Sequence, residues 1–278
     1  MGEFWDALQD PNYPFLRYAL LAGALSSLCF GVIGSYVVAR RITYIAAAIS
    51  HSVLGGIGAA VYLRHAAGWS WCDPMYGALA AALLSALLIG FVSIAARQRE
   101  DTVISAVWAV GMAVGLLLLA KTPGNIDAMS YLIGDIHYIS RDDLALVAVL
   151  DLVVLGTAWL LHNKFVAVCF DEEFAALRGV QAKLYYLLLL CLVALAVLSL
   201  VRIVGNVLVI ALLTLPAAVA GQLAHRLWQM MALASAVCLG LIVAGLALSC
   251  TYDLLTGPTI VLLAAVVYLL AAARGRRT

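Results

Sequence analysis

Apolar residues fall along this chain in long unbroken runs, separated by brief polar stretches. The runs lie at about 15–38, 44–63, 75–96, 102–120, 143–162, 184–202, 205–224, 228–249 and 257–273. Each is close to the ~20 residues a helix needs to cross a bilayer. None shows the alternation, roughly ten residues at a time, of an outer-membrane barrel strand. The pattern predicts an all-α, polytopic membrane protein with about nine transmembrane helices, a single transmembrane domain over residues 1–278. Only Val201-Arg202-Ile203-Val204-Gly205 parts the sixth run from the seventh, so eight spans is the alternative.

Two hydrophilic connections are longer than a tight turn. One, at about 121–142, reads KTPGNIDAMSYLIGDIHYISRD; the other, at about 163–183, reads NKFVAVCFDEEFAALRGVQAK. In the second, Phe170, Phe174 and Leu177 recur at helical spacing beside Asp171, Glu172 and Glu173. Acids in a first turn complement the helix dipole, and a glycine suits the C-terminal end. A short amphipathic helix stopping near Gly179 is expected here. On composition alone the segment reads equally as a solvated connector on the membrane surface.

Composition sharpens this picture. The chain is 65% apolar and 11% charged, against about 45–50% and about 25% in a soluble domain. A soluble domain of this length has too little interior to hide that much apolar surface. A soluble enzyme, a nucleic-acid binder and a disordered chain are excluded. Sixteen basic and fifteen acidic residues create no global field, but the placing of the basic ones sets an orientation. With the N-terminus outside, Arg40, Arg41, Arg97, Arg99, Lys164, Arg178, Lys183, Arg226, Arg274, Arg276 and Arg277 fall in cytoplasmic segments. Only Arg17, Arg64, Lys121, Arg141 and Arg202 fall outside, the bias expected of an N-out, C-in chain. The start, MGEFWDALQDPNYPF, carries acids ahead of the first run where a cleaved leader has a basic region, so the first span is expected to stay in the protein. Cys29, Cys72, Cys169, Cys191, Cys238 and Cys250 form no CxxC pair and read as small hydrophobes.

Few polar groups interrupt the spans, and those that do are costly in hydrocarbon and therefore candidates for function. His51 sits mid-span in AAAISHSVLGGIGAA. Around it Ala48, Ser52, Gly56 and Ala60 repeat every fourth residue, as do Ala47, His51, Gly55 and Ala59. Small residues at this spacing let helices approach closely, so His51 belongs on a packed face. It reads either as a metal ligand or as a histidine holding one hydrogen bond across a helix interface. Pro216, in GNVLVIALLTLPAAVAG, removes a backbone donor and is expected to kink its span; such breaks either line pathways or are purely structural. In SCTYDLLTGPTIVLL, Asp253 is expected outside, at the mouth or as a cap, with Pro258 in the first turn of the next helix. The outer connection holds Asp127, Asp135, His137, Asp142 and Asp143, which suit either a cation entrance or a solvated loop. His65, His162 and His225 fall at span ends, where wet, structural roles are expected. No convincing acid for ion coupling is read within the spans. No G-x-S-x-G, H-E-x-x-H or Walker pattern occurs, so neither a hydrolase nucleophile nor a nucleotide site is visible.

Six segments together resemble one family: GVIGSYVVARRITYIAAAISHSVLGG (31–56), EDTVISAVWAVGMAVGLLLL (100–119), DAMSYLIGDI (127–136), FDEEFAALRGV (170–180), VGNVLVIALLTLPAAVA (204–220) and YDLLTGPTIVL (252–262). In this order they are similar to the membrane permeases of bacterial ABC importers for zinc, manganese and iron, the high-affinity zinc uptake permease type. The resemblance implies a type II ABC importer-like fold in the bacterial inner membrane, surrounded by lipid. It implies a homodimer with the path between its copies, two ATPase subunits inside, and an extracytoplasmic metal-binding protein outside. No cofactor is implied beyond the transported divalent metal and the ATP on a partner, and no nucleic acid. It also implies that Asp171, Glu172, Glu173, Phe174 and Gly179 belong to the ATPase coupling surface.

One position departs from the pattern. The family commonly has an acid four residues before the second-span histidine, as in GDALSH; here that position is Ala47. An acid and a histidine one turn apart share a helix face. His51 is thus the implied metal-contacting residue without its usual carboxylate, and Ser50, water or the outer connection is left to complete the site. Pathway or mouth roles are expected for Ser50, Asp127, Asp135, Pro216 and Asp253. The expected function is the permease subunit of an ATP-driven divalent-metal importer, zinc first and manganese or iron next, with no bond chemistry of its own. Rival readings are an ABC permease for cobalamin or siderophores, a stand-alone cation-coupled transporter, and an intramembrane metalloenzyme.

Overall fold

A computed structural model of the chain describes residues 14–66, 68–69, 71–95, 100–123, 141–252 and 254–275. The described residues form α1 (Pro14–Ala39), α2 (Thr43–Ala66), α3 (Pro74–Ala95), α4 (Glu100–Lys121), α5 (Arg141–Leu160), α6 (His162–Phe170), α7 (Glu172–Leu177), α8 (Ala182–Val204), α9 (Asn206–Leu223), α10 (Leu227–Tyr252) and α11 (Thr256–Gly275). Among them, nine are long and apolar enough to cross a membrane, all except α6 and α7. Their ends follow local chemistry. Asp73, for example, accepts the Met75 N–H at 2.8 Å as α3 begins.

Each span is apolar around most of its circumference, so an apolar-in, polar-out rule cannot sort the helices. Small residues do the sorting. α1, α2 and α8 are the interior, with 67%, 72% and 67% of their central residues buried, against 17% in α4 and α11. α2 lies between α3 and α4. A methyl on Gly56 would overlap the Gly77 carbonyl of α3, and one on Gly55 or Gly58 would press on Gly111 or Gly115 of α4. The small-residue repeat thus packs three helices at backbone contact, where dispersion rather than water exclusion holds them. α1 packs on α10 and α9 in the same way, with Gly31 against the Ser235 backbone and Gly34 against the Leu213 carbonyl.

The sixth and seventh runs are separate helices, but the five-residue link expected between them shrinks to one residue. α8 continues through Val204, and Gly205 alone breaks the path at φ 81°, ψ 163°. That conformation is essentially reserved for glycine. α9 starts at Asn206 and runs on through Pro216. Pro258 lies in the first turn of α11.

Three local expectations change. The segment after α5 forms two short helices in place of one, parted by Asp171, whose extended backbone (φ −151°, ψ 96°) frees its carboxylate to cap α7. Asp142 and Asp143 lie in the first turn of α5, not in a loop, where they complement the helix dipole. An intramembrane acid does exist: Asp151, in the middle of α5, is buried and accepts from Ser26 Oγ at 2.9 Å, while its Oδ1 has no hydrogen-bond partner among the described residues. It sits where α5 packs on α1, away from α2. A lone acid in an apolar run passes a hydropathy count unnoticed. All six cysteines are free thiols, four of them buried.

Candidate functional site

His51 lies midway along α2, partly exposed, between fully buried Ser50 and buried Ser52. Its ring stacks on Trp108 of α4, centroids 4.6 Å apart and planes 12° from parallel. The stack is possible because Trp108, Gly111 and Gly115 share one face of α4, and the glycines bring that face against α2. On the other side stands Asn206, buried, the first residue of α9. Its Nδ2 is 3.2 Å from His51 Nδ1, and its Oδ1 accepts from Ser50 Oγ. Gly205 sets this contact, since its positive φ ends α8 and starts α9 where the Asn206 amide reaches both Ser50 and His51.

Ala47 is buried one turn before His51, so no carboxylate approaches the ring from there. Among the described residues, no group of three or more His, Cys, Asp or Glu comes together. The local donors are therefore an imidazole nitrogen, an amide and a hydroxyl. Such a set can touch a passing cation, but it is not a closed cage.

A second polar cluster occupies the end of the bundle that carries α6 and α7. The Arg40 guanidinium, at the end of α1, pairs with Glu172 at 2.6 Å, donates to the Val168 carbonyl and lies 4.5 Å from the centre of the Tyr186 ring. One turn earlier, Tyr36 bonds His162 Nδ1 at 2.6 Å and meets Phe165 edge-on. α1, α6, α7 and α8 are thereby tied at one point. The Asp171 carboxylate accepts the Phe174 N–H at 2.8 Å, and Gly179, at φ 79°, closes the turn after α7. Phe170, Phe174 and Leu177 stay exposed, with Arg178 stacked 4.9 Å from the Phe174 ring centre. Beside them opens a cleft of about 1140 Å³, lined in part by Arg40, Arg41, Cys169, Glu173 and Lys183. Burial pushes the Cys169 thiol up to about 11, against the opposing pull of Arg40.

Of the residues singled out from the sequence, Ser50 and His51 meet on one amide, and Asp171, Glu172, Glu173, Phe174 and Gly179 share one short element. Pro216 lies on the same helix as Asn206, farther along. Asp127, Asp135, His137 and Asp253 lie outside the described residues. Sequence reasoning missed Asn206 and Trp108. Asn206 follows a glycine at the mouth of an apolar run, and Trp108 leads a glycine stripe; either pattern is a usable signal.

The profile of the ABC 3 transport family matches residues 12–275. A membrane protein of Synechocystis is 38% identical over 267 residues, spanning 96% of this chain and 92% of its own. The manganese transport system membrane protein MntC of Halalkalibacterium halodurans is 32% identical over 269 residues, spanning 96% and 89%. Among solved structures, a chain of PsaBC from Streptococcus pneumoniae, in complex with Fab, superposes with a TM-score of 0.84 at 28% identity, covering 97% of this chain and 94% of its own. That protein corrects the expected homodimer: PsaBC combines differently named components, a heteromeric assembly. A symmetric pair needs a self-complementary patch. Apolar helix faces reveal that something covers them in the membrane, and carry no record of what.

Proposed function

This chain belongs to the ABC 3 transport family as a multi-pass, inner-membrane permease of ABC-type divalent-metal import and not an enzyme, and from that premise we propose that manganese is its first cargo, with zinc and iron next, and that the ion passes His51. The observation that carries the reading is a histidine in mid-span, stacked on Trp108 and bonded through Nδ1 to Asn206. A hydrogen bond at one ring nitrogen fixes the orientation of the imidazole and its tautomer, and so governs what the other nitrogen offers to an ion. Zinc, placed first from the resemblance, moves behind manganese for two reasons. The set of one nitrogen and neutral oxygens, with no thiolate, suits a harder ion. Relatives are also named for manganese transport.

The same reading gives the α6–α7 segment, about residues 163–183, the coupling role and puts it in the cytoplasm with the N-terminus outside. ATP is hydrolysed on a separate ATPase chain. Its apolar anchor is Phe174, and Arg40 passes movement of α7 to α1 through Glu172. Support comes from the exposed apolar side chains of α7 beside an open cleft and from the ion pair behind it.

The test is uptake of labelled manganese, zinc and iron by cells carrying the whole transporter with His51→Ala, compared at equal folded amounts. Uptake at limiting manganese should fall about tenfold or more, since losing even an orienting partner of a metal ligand costs that much. Wild-type uptake of all three metals would remove His51 from the path.

A further inference from the structure

We propose that Ser50, Asn206 and His51 form a two-state hydrogen-bond relay, in which the orientation of the Asn206 amide selects the His51 tautomer and so decides whether Nε2 is offered to a cation. Asn206 is the positioning residue of this relay. The inference rests on the reading that the ion passes His51.

The two ends of an amide are nearly equal in size and differ in that one donates and the other accepts. In the observed orientation Ser50 Oγ donates to Asn206 Oδ1, and Asn206 Nδ2 faces His51 Nδ1 at 3.2 Å. Nδ2 can only donate, so Nδ1 must accept, and the ring proton sits on Nε2. In that tautomer Nε2 has no lone pair for a metal. Turning the amide by half a revolution exchanges its ends. Nδ2 then donates to Ser50 Oγ, whose own proton turns to the Asn206 main-chain carbonyl 3.5 Å away, and Oδ1 accepts from Nδ1–H. The ring carries its proton on Nδ1, and Nε2 is free to bind. One proton leaves Nε2 and one joins Nδ1, so the net charge is unchanged. His51 is the least buried of the three, and on the reading that the ion passes here its open side faces the path, whose water carries the exchange.

Both states satisfy the same three groups, which makes the choice between them sensitive to a cation. Ser50 and Asn206 are buried, so an unsatisfied state would be expensive, and the relay avoids one in either orientation. An acid in place of Asn206 would remove this balance, because a carboxylate can only accept. It would hold the ring permanently in the binding tautomer and add a negative charge. The relay thus gives a weak, releasable contact at a position where Ala47 supplies no carboxylate.

The test measures manganese uptake by the intact transporter in native membranes, reporting the half-saturating concentration and the maximal rate at equal folded amounts. Asn206→Leu keeps the branched shape at Cγ and removes both hydrogen bonds; it should raise the half-saturating concentration about tenfold or more. Asn206→Asp should lower the half-saturating concentration and slow the maximal rate, because the ring stays in its binding form and release is hindered. Normal half-saturation in Asn206→Leu overturns the relay, since only packing would then matter. If that variant does not accumulate, Asn206→Asp decides: both parameters at wild-type values overturn the relay equally. His51→Ala separates the two levels. Wild-type uptake there removes the reading of His51 itself, whereas defective His51→Ala with normal Asn206→Leu removes the relay alone.

Discussion

Gly205 shows how much one residue carries in this chain. It is the whole linker between α8 and α9, and its φ of 81° with ψ of 163° belongs to a region other residues avoid. Gly205→Ala should cost about 1–3 kcal/mol in backbone strain, visible as a lower thermal-denaturation midpoint of the purified permease. Uptake should fall as well, because the same glycine delivers the Asn206 amide to Ser50 and His51. An unchanged midpoint would mean the backbone there relaxes at little cost. His51 was legible because a histidine in a long apolar run is rare and costly. Asn206 was not, since it lies 155 positions away in sequence and only folding brings its amide to the ring. Asp151 was legible in principle, as an acid in mid-span, but its bond to Ser26 belongs to the folded bundle.

At the scale of elements, periodicity and length sufficed for the spans, whose observed limits lie within a few residues of the apolar runs. Hydrocarbon leaves little choice here, because every backbone donor and acceptor must be satisfied inside the segment. The segment around 163–183 was harder. Its apolar spacing predicted a helix and Gly179 its end, but one residue, Asp171, divides it by capping α7. The cap leaves Phe174 exposed on a six-residue helix held from behind by Arg40 and Glu172. Phe174→Ala therefore removes little from the fold of the permease itself. If α7 docks on an ATPase, losing its aromatic anchor should cost about 2 kcal/mol or more of that association. Co-purification of the ATPase with tagged permease, alongside uptake, measures this; full assembly with full transport in the variant would count against the coupling role.

At the scale of the whole molecule, the distribution of basic residues predicts which end of the bundle faces the cytoplasm. A cysteine at Glu173, introduced after replacing the native cysteines, should react with a membrane-impermeant maleimide only once cells are opened. Glu173 is exposed on α7, so the site is reachable from whichever side it occupies, and labelling of intact cells would reverse the orientation and remove the coupling role with it. Length and hydropathy alone determined that this chain is a multi-pass helical membrane protein, because a bilayer's thickness and its lack of hydrogen-bonding partners admit few other solutions. The small-residue stripe on α2 also announced a tightly packed helix before any partner was known. Which helices that stripe meets, that Trp108 and Asn206 flank His51, and that Arg40 reaches Glu172 were decided only by the tertiary structure. The physical reason is common to all three: in a chain this uniformly apolar, hydrophobicity drives insertion without distinguishing one neighbour from another, and the choice falls to steric fit and to a few hydrogen bonds between residues far apart in sequence.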